Sequence, residues 1–190
     1  MKNFAFKSLF SLFCLAFLVC FAAPTSINAQ RRDYMTEPES ELVREAQEID
    51  LRIFVLTKMI DRRFAILNNE QTKPEKNSEK WGEPPTGTRL ELLSDINKLL
   101  QKAIDDIDDV AAHNRMDSKL FPKAMRNLAE AAARYQPKLK AIYDQNPDNR
   151  EKGLLLGASE FCDTIIEASA KVPKELPKED KKKKKKDDTK

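Results

Sequence analysis

The chain carries one histidine, three cysteines and four glycines in 190 residues. A single histidine excludes every site that needs two, including di-iron bundles built on paired Glu-x-x-His motifs. There is no Cys-x-x-Cys-His run, which excludes covalent haem attachment through that motif. A Met/His-ligated haem would have to use His113 with Met35, Met59, Met116 or Met125. The helical pattern described below points His113 away from the core. Scarce glycine argues against a turn-rich sandwich or barrel, and 34% charged residues favour surface-exposed helices. The sequence has no nucleophile elbow, glycine-rich phosphate loop or metal triad. It therefore reads as a non-enzymatic protein, with no catalytic residue assigned and no cofactor expected.

What is present begins with an address. Residues 1–7 hold two lysines and no acid, and residues 9–23 are apolar except for Ser11. Pro24 breaks the run ahead of Ile27, Asn28 and Ala29. A basic start, an apolar stretch and a small residue before the cut are the parts of a secretory signal peptide. Cleavage is expected after Ala29, leaving Gln30 first, because a cut after Ala23 would put Pro24 beside the scissile bond. Two alternatives stay open. Residues 4–23 could be retained as an anchor, although they are near the short limit for a span. A lipoprotein cut before Cys20 is disfavoured by bulky Val19.

Removing residues 1–29 takes two lysines, Cys14 and Cys20, and leaves a net charge of +1. Cys162 is then the single cysteine, so no internal disulfide can form and stability must come from packing. The expected location is periplasmic or extracellular, with no transmembrane span after cleavage.

The body reads as four helices, at about residues 37–67, 88–113, 118–143 and 147–172, after a short linker at 30–35. Thr36 caps the first, with Pro38 among its opening residues. Leu42, Ala46, Ile49, Ile53, Leu56, Ile60, Phe64 and Leu67 then recur at steps of 3 and 4, a helical stripe. The second starts near Thr88 and carries Leu93, Ile96, Leu100, Ala103, Ile107 and Val110. Leu92, Leu99 and Ile104 widen its face.

Asp117 or Ser118 is the expected cap of the third, which carries Phe121, Met125, Leu128, Ala132, Tyr135, Leu139 and Ile142. Pro137 lies inside it and predicts a kink. The fourth is expected to open on Asn146 and Pro147, with a stripe of Leu154, Ala158, Phe161, Ile165, Ala168 and Val172. Four apolar stripes need one another as cover, and an antiparallel four-helix bundle is the simplest closure. Short links between the second, third and fourth helices predict that these three are antiparallel neighbours. The long polar loop at 68–87 reads as a solvated connector, and Trp81 is the residue in it that suggests more.

No ionisable side chain falls on any of the four stripes. Asp105, Asp106, Asp108 and Asp109 lie on the flanks or outer side of the second helix when Ile107 faces the core. Asp106, Asp109 and His113 could share one outer stripe, which makes them weak candidates for a divalent ion. Cys162 sits about 60° from the centre of its stripe at 100° per residue, and is expected to be a small core-edge hydrophobe. Tyr135 is expected to send its hydroxyl to the rim or the backbone.

Residues 174–190 hold nine lysines and five acids. With nothing apolar to bury, residues 173–190 read as a disordered lysine-rich tail. Lys181, Lys182, Lys183, Lys184, Lys185 and Lys186 are candidate contacts for a polyanion. Without aromatic residues in the tail, and with export expected, nucleic acid is not the expected target. The sequence thus predicts an exported interaction or structural module of the cell envelope, meeting an envelope protein or an anionic envelope component. Two alternatives are a carrier of a small apolar ligand or metal, and a bundle tethered to a membrane or polyanion by its tail.

Overall fold

A computed structural model describes residues 32–70, 78–113 and 120–172. The segment read as a signal peptide, the Asp117/Ser118 cap, part of the long loop and the lysine tail lie outside the described residues. All regular secondary structure among the described residues is helical: α1 (Glu37–Glu45), α2 (Ile49–Leu67), α3 (Ser78–Trp81), α4 (Arg89–Ala112), α5 (Leu120–Tyr143) and α6 (Asn149–Ala170). No helix among these residues is long and apolar enough to cross a membrane.

The helix starts follow local chemistry. Thr36 and Glu39 form a capping box on α1, the Glu39 carboxylate accepting from the Thr36 N–H at 3.0 Å. Thr88 and Glu91 repeat the device on α4, at 2.7 Å. The start of α6 corrects the expectation of an Asn146 cap. Asn146 adopts a positive φ of 57°, and Asp148 is the cap, accepting from the N–H groups of Arg150 and Glu151 at 2.8 and 2.9 Å. α5 continues through Pro137, which lies on its exposed side.

The expected first helix is two helices. Ala46 ends α1 with ψ at 82°, and Glu48 re-enters extended before α2 begins. The Ala46 carbonyl freed by the break accepts from Arg52 Nε at 2.9 Å. The stripe concealed the break because Ala46 and Ile49, on either side of it, are both buried.

The helix order also differs from the expectation that the last three long helices are successive antiparallel neighbours. α2 packs on α4 and α5, α6 packs on α4 and α5, and α4 meets α5 only over a small area. Directions follow from which residues meet. Arg52 faces Asp106 and Arg63 faces Asp95, so α2 and α4 run antiparallel. Asp50 meets Lys123 and Asp61 meets Arg134, so α2 and α5 run parallel. Arg89 meets Glu151 and Asn97 reaches the Leu154 carbonyl, so α4 and α6 are parallel too. Consecutive long helices still alternate in direction, but α5 does not lie beside α4.

The core between them is apolar and continuous. Ile53, Leu56, Ile60 and Phe64 of α2 meet Leu93, Ile96 and Leu100 of α4, with Leu128, Ala132, Tyr135 and Leu139 of α5. The Phe64 and Tyr135 rings lie 5.3 Å apart, centre to centre. On α6 the face is turned relative to the expected stripe: Leu155, Ala158, Cys162 and Ile165 are buried, while Leu154, Phe161 and Ala168 are only half-buried. Cys162 is therefore central and not at the edge of the core.

Candidate functional site: a buried arginine clasp

The expectation of stripes free of charge holds position by position, yet the interior is not free of charge. Arg63, Glu39, Asp50 and Asp95 are buried. Arg63 neighbours Phe64 on the buried side of α2, and Glu39 comes in from α1. The Glu39 carboxylate receives Arg63 in a two-pronged contact, Nη1 on Oε1 at 2.6 Å and Nη2 on Oε2 at 2.7 Å. Arg63 also donates to the carbonyls of Met59 at 3.0 Å and Tyr34 at 2.7 Å. Among the described residues its Nε has no hydrogen-bond partner, and it faces Asp95 Oδ2 at 3.7 Å.

Arg62 joins the same carboxylate from the rim. Its Nη1 donates to Glu39 Oε1 at 2.8 Å and to the Trp81 carbonyl at 3.0 Å. Its Nη2 donates to the carbonyls of Gly82 and Glu83 at 3.2 and 2.6 Å. The guanidinium lies 5.6 Å from the Trp81 ring centre, a cation–π distance. Gly82 is required here: its φ is +60°, and a Cβ would come within 2.7 Å of Pro38 Cγ. One carboxylate thus gathers the N-terminal segment, α1, two successive arginines of α2 and the segment after α3. Two-pronged charged hydrogen bonds of this kind are strong and directional.

This arrangement is suited to holding segments together. Arg63 and Glu39 are screened from solvent by the elements they join, and their bonding capacity is largely filled internally. The long loop is accordingly not a simple solvated connector at its end. Trp81 is half-buried and Pro85 buried, and the backbone at 81–83 is tied to Arg62. The part of the loop at 71–77 lies outside the described residues.

The weak metal candidates do not converge. His113 caps α4, its Nδ1 lying 3.3 Å from Asp109 Oδ1 and 2.8 Å from the Asp109 carbonyl. Asp106 turns instead toward cations, 3.2 Å from Lys102 Nζ and 3.8 Å from Arg52 Nη1. Among the described residues no group of three or more His, Cys, Asp or Glu side chains could hold a metal ion. Lys181, Lys182, Lys183, Lys184, Lys185 and Lys186 lie outside the described residues.

Three further polar groups are built into the interior. The Tyr135 hydroxyl donates to the Thr57 carbonyl at 2.9 Å, the backbone outcome expected of it. Burial, then the nearby Asp61, pushes its ionisation far above the ordinary range. Asp61 is itself raised by burial, against the opposing pull of Arg134, Lys138 and Lys58. Asp50, buried in the first turn of α2, accepts from Lys123 Nζ at 2.7 Å. The Cys162 thiol is pushed up to about 12 by burial first and by Asp163 second, which favours its protonated form.

The clasp could not be found from sequence position alone. Glu39 carries an ordinary capping-box signature, and Arg63 follows the run of α2 without interrupting its stripe. Their meeting depends on the break at 46–48, which lets α1 fold against α2. Comparison with protein-family models, curated proteins and solved structures finds no match to this chain, so the site rests on its own residues.

Proposed function

We propose that this chain is an exported, non-enzymatic four-helix bundle of the cell envelope that acts as an interaction or structural module. The four long helices would form the bundle, as two parallel pairs set antiparallel to each other. The ring of contacts α2–α4–α6–α5–α2 supports that closure. The observation that carries the functional reading is how the buried ionisable groups are used. Glu39 is engaged by Arg62 and Arg63, and Asp50 by Lys123. Catalysis needs a positioned acid, base or nucleophile in reach of a substrate. Glu39 and Asp50 are instead engaged by the cations beside them, and burial pushes the Cys162 thiol up. Recognition then falls to the outer surface.

Export is supported by the sequence of residues 1–29, with its basic start, apolar run and Ala29 site. The test has two parts. Sequencing the N-terminus of the native protein should return Gln30 from an extracytoplasmic fraction. Proximity labelling from the same protein in its own compartment should enrich a reproducible envelope partner. Intact Met1 in a cytosolic fraction would overturn the reading, and so would turnover of a substrate by the purified chain.

A second reading is favoured by one specific feature, the uninterrupted lysines at 181–186. In that reading the tail tethers the bundle to anionic membrane or envelope polymers by long-range attraction, worth about 1 kcal/mol per lysine near an anionic surface.

A further inference from the structure

The clasp divides the described residues unevenly. Among the described helices, the backbone of α1 lies against α2 and α3 and that of α3 against α1, while the Trp81 end of α3 meets Arg62 of α2 through side-chain contacts. Two segments far apart in sequence therefore form one peripheral layer outside the four long helices. Its polar ties to α2 include the Glu39 carboxylate, the Tyr34 carbonyl and the carbonyls at 81–83, received by Arg62 and Arg63, and the Ala46 carbonyl at its hinge end, received by Arg52. A further tie is the Lys98 ammonium, 5.7 Å above the Tyr34 ring.

The two parts of this layer also interlock with each other. Gly82 sits so close to Pro38 of α1 that a methyl group would not fit between them. Each part ends at a backbone that can act as a hinge. The first is the non-helical stretch 46–48 between α1 and α2, and the second is Gly87, with φ at 152°.

We infer that residues 34–46 and 78–87 form a single discontinuous strap that opens as a unit ahead of the four long helices, with Glu39 as its latch. The energetics favour this order. The long helices share the continuous apolar core, to which the strap gives Ala46 at its hinge end, whereas its Leu42, Val43, Tyr34, Met35 and Trp81 are only partly buried against it. Regions with fewer buried apolar contacts open locally at lower free energy than the core. Opening also removes the need to keep Arg63 dry, because its guanidinium regains water when Glu39 leaves. A closed strap covers two adjacent guanidinium groups, and an open strap presents them, together with its own half-buried apolar side chains, to solvent.

The full chain supplies its own reporter, because Trp81 is its sole tryptophan and lies in the strap. Urea titration followed by Trp81 fluorescence should show a transition at lower denaturant than the loss of helical circular dichroism. Glu39→Gln should move the fluorescence transition down and leave the main circular dichroism transition in place. Amide exchange at Glu39–Ala46 should accelerate at least tenfold in this variant, with amides of α4, α5 and α6 unchanged. Arg62→Met leaves the buried arginine in place and breaks the ties to 81–83 together with the Arg62 bond to Glu39, so faster exchange is expected at both 81–83 and α1. The unity of the strap is read in Glu39→Gln, where the Arg62 ties to 81–83 are not substituted. The amides at 81–83 should nonetheless accelerate there with those of α1, and unchanged exchange at 81–83 in that variant would overturn it.

Coincident fluorescence and circular dichroism transitions in the unmodified chain would overturn the inference. A uniform rise in exchange across all helices in Glu39→Gln would do the same. Faster exchange confined to 81–83 in Arg62→Met would leave two independent segments and no strap.

Discussion

Glu39 and Arg63 are 24 residues apart and meet face to face, both oxygens of the carboxylate taking both terminal nitrogens of the guanidinium at 2.6 and 2.7 Å. A buried ion pair is weak evidence for stability, since desolvating both charges offsets much of their attraction. It is stronger evidence for position, because a planar fork meets a carboxylate in few orientations. Here it fixes where α1 lies on α2. Arg63 Nε lies at a looser ion-pair distance of 3.7 Å from Asp95, so the short contacts of the guanidinium are on its Glu39 side.

Tyr135→Phe tests another long-range polar contact of α2. The hydroxyl reaches the Thr57 carbonyl across the α2–α5 seam, and the ring keeps its place against Phe64 without it. Loss of one buried hydrogen bond should lower stability by about 1 kcal/mol. Urea denaturation should show a lower midpoint with an unchanged slope, because no extra surface is exposed.

The contrast between α5 and α2 explains what the sequence discloses. All seven stripe positions of α5, from Phe121 to Ile142, are buried, because a helix packed along its whole length must repeat its apolar face at steps of 3 and 4. On α6 the same rule located the helix but misjudged its rotation. Phe161 is large enough to dominate the pattern while only half-buried, and Cys162 is the residue without exposure. The neighbour order was not legible, because a link between α4 and α5 can join adjacent or diagonal helices. The clasp was less legible still. A capping glutamate and an interior arginine each satisfy local rules alone, and only the fold over 46–48 brings them together. The pairing of Asp106 with Lys102 and Arg52 was not legible either, since helix spacing places Asp106 on a flank without saying which neighbour faces it.

Alkaline pH should weaken the fold through Cys162. Its thiol ionises at about 12 when folded, against an ordinary value of 9.0. The unfolded chain therefore loses its thiol proton first. The contribution of this group is complete below the ordinary value and is lost progressively as pH rises toward about 12. Other groups titrate in that range, so the measurement is a difference. Stability of Cys162→Ala should fall less steeply above pH 9.0 than that of the parent chain. Alkylation of the parent thiol at neutral pH should be slow until denaturant is added.

Gly82→Ala should loosen the peripheral layer through two separable effects. The added methyl would lie within 2.7 Å of Pro38 Cγ, and φ at +60° is itself unfavourable for alanine. The backbone effect alone is worth about 1 kcal/mol. Trp81 fluorescence should report greater solvent exposure at a temperature where helical circular dichroism is intact. Adding Pro38→Ala should recover the steric part of the loss but not the backbone part. Full recovery would mean that the positive φ carries no strain.

Removal of residues 174–190 should separate folding from surface attraction. Nine lysines against five acids give this segment a net charge of +4, whereas residues 30–172 carry −3. No apolar stripe runs through the deleted residues, so nothing in their sequence can add to the core. Helical circular dichroism and melting temperature of the shortened chain should match those of the parent. Binding to vesicles containing anionic lipid should fall sharply on deletion. Parent binding should also collapse in high salt, where screening shortens from about 8 Å at physiological ionic strength to about 3 Å at 1 M. A lower melting temperature would mean that the tail packs on the helices. Unchanged vesicle binding would assign the attraction to the folded surface, where exposed Leu51 and Phe54 on α2 would be the next residues to replace.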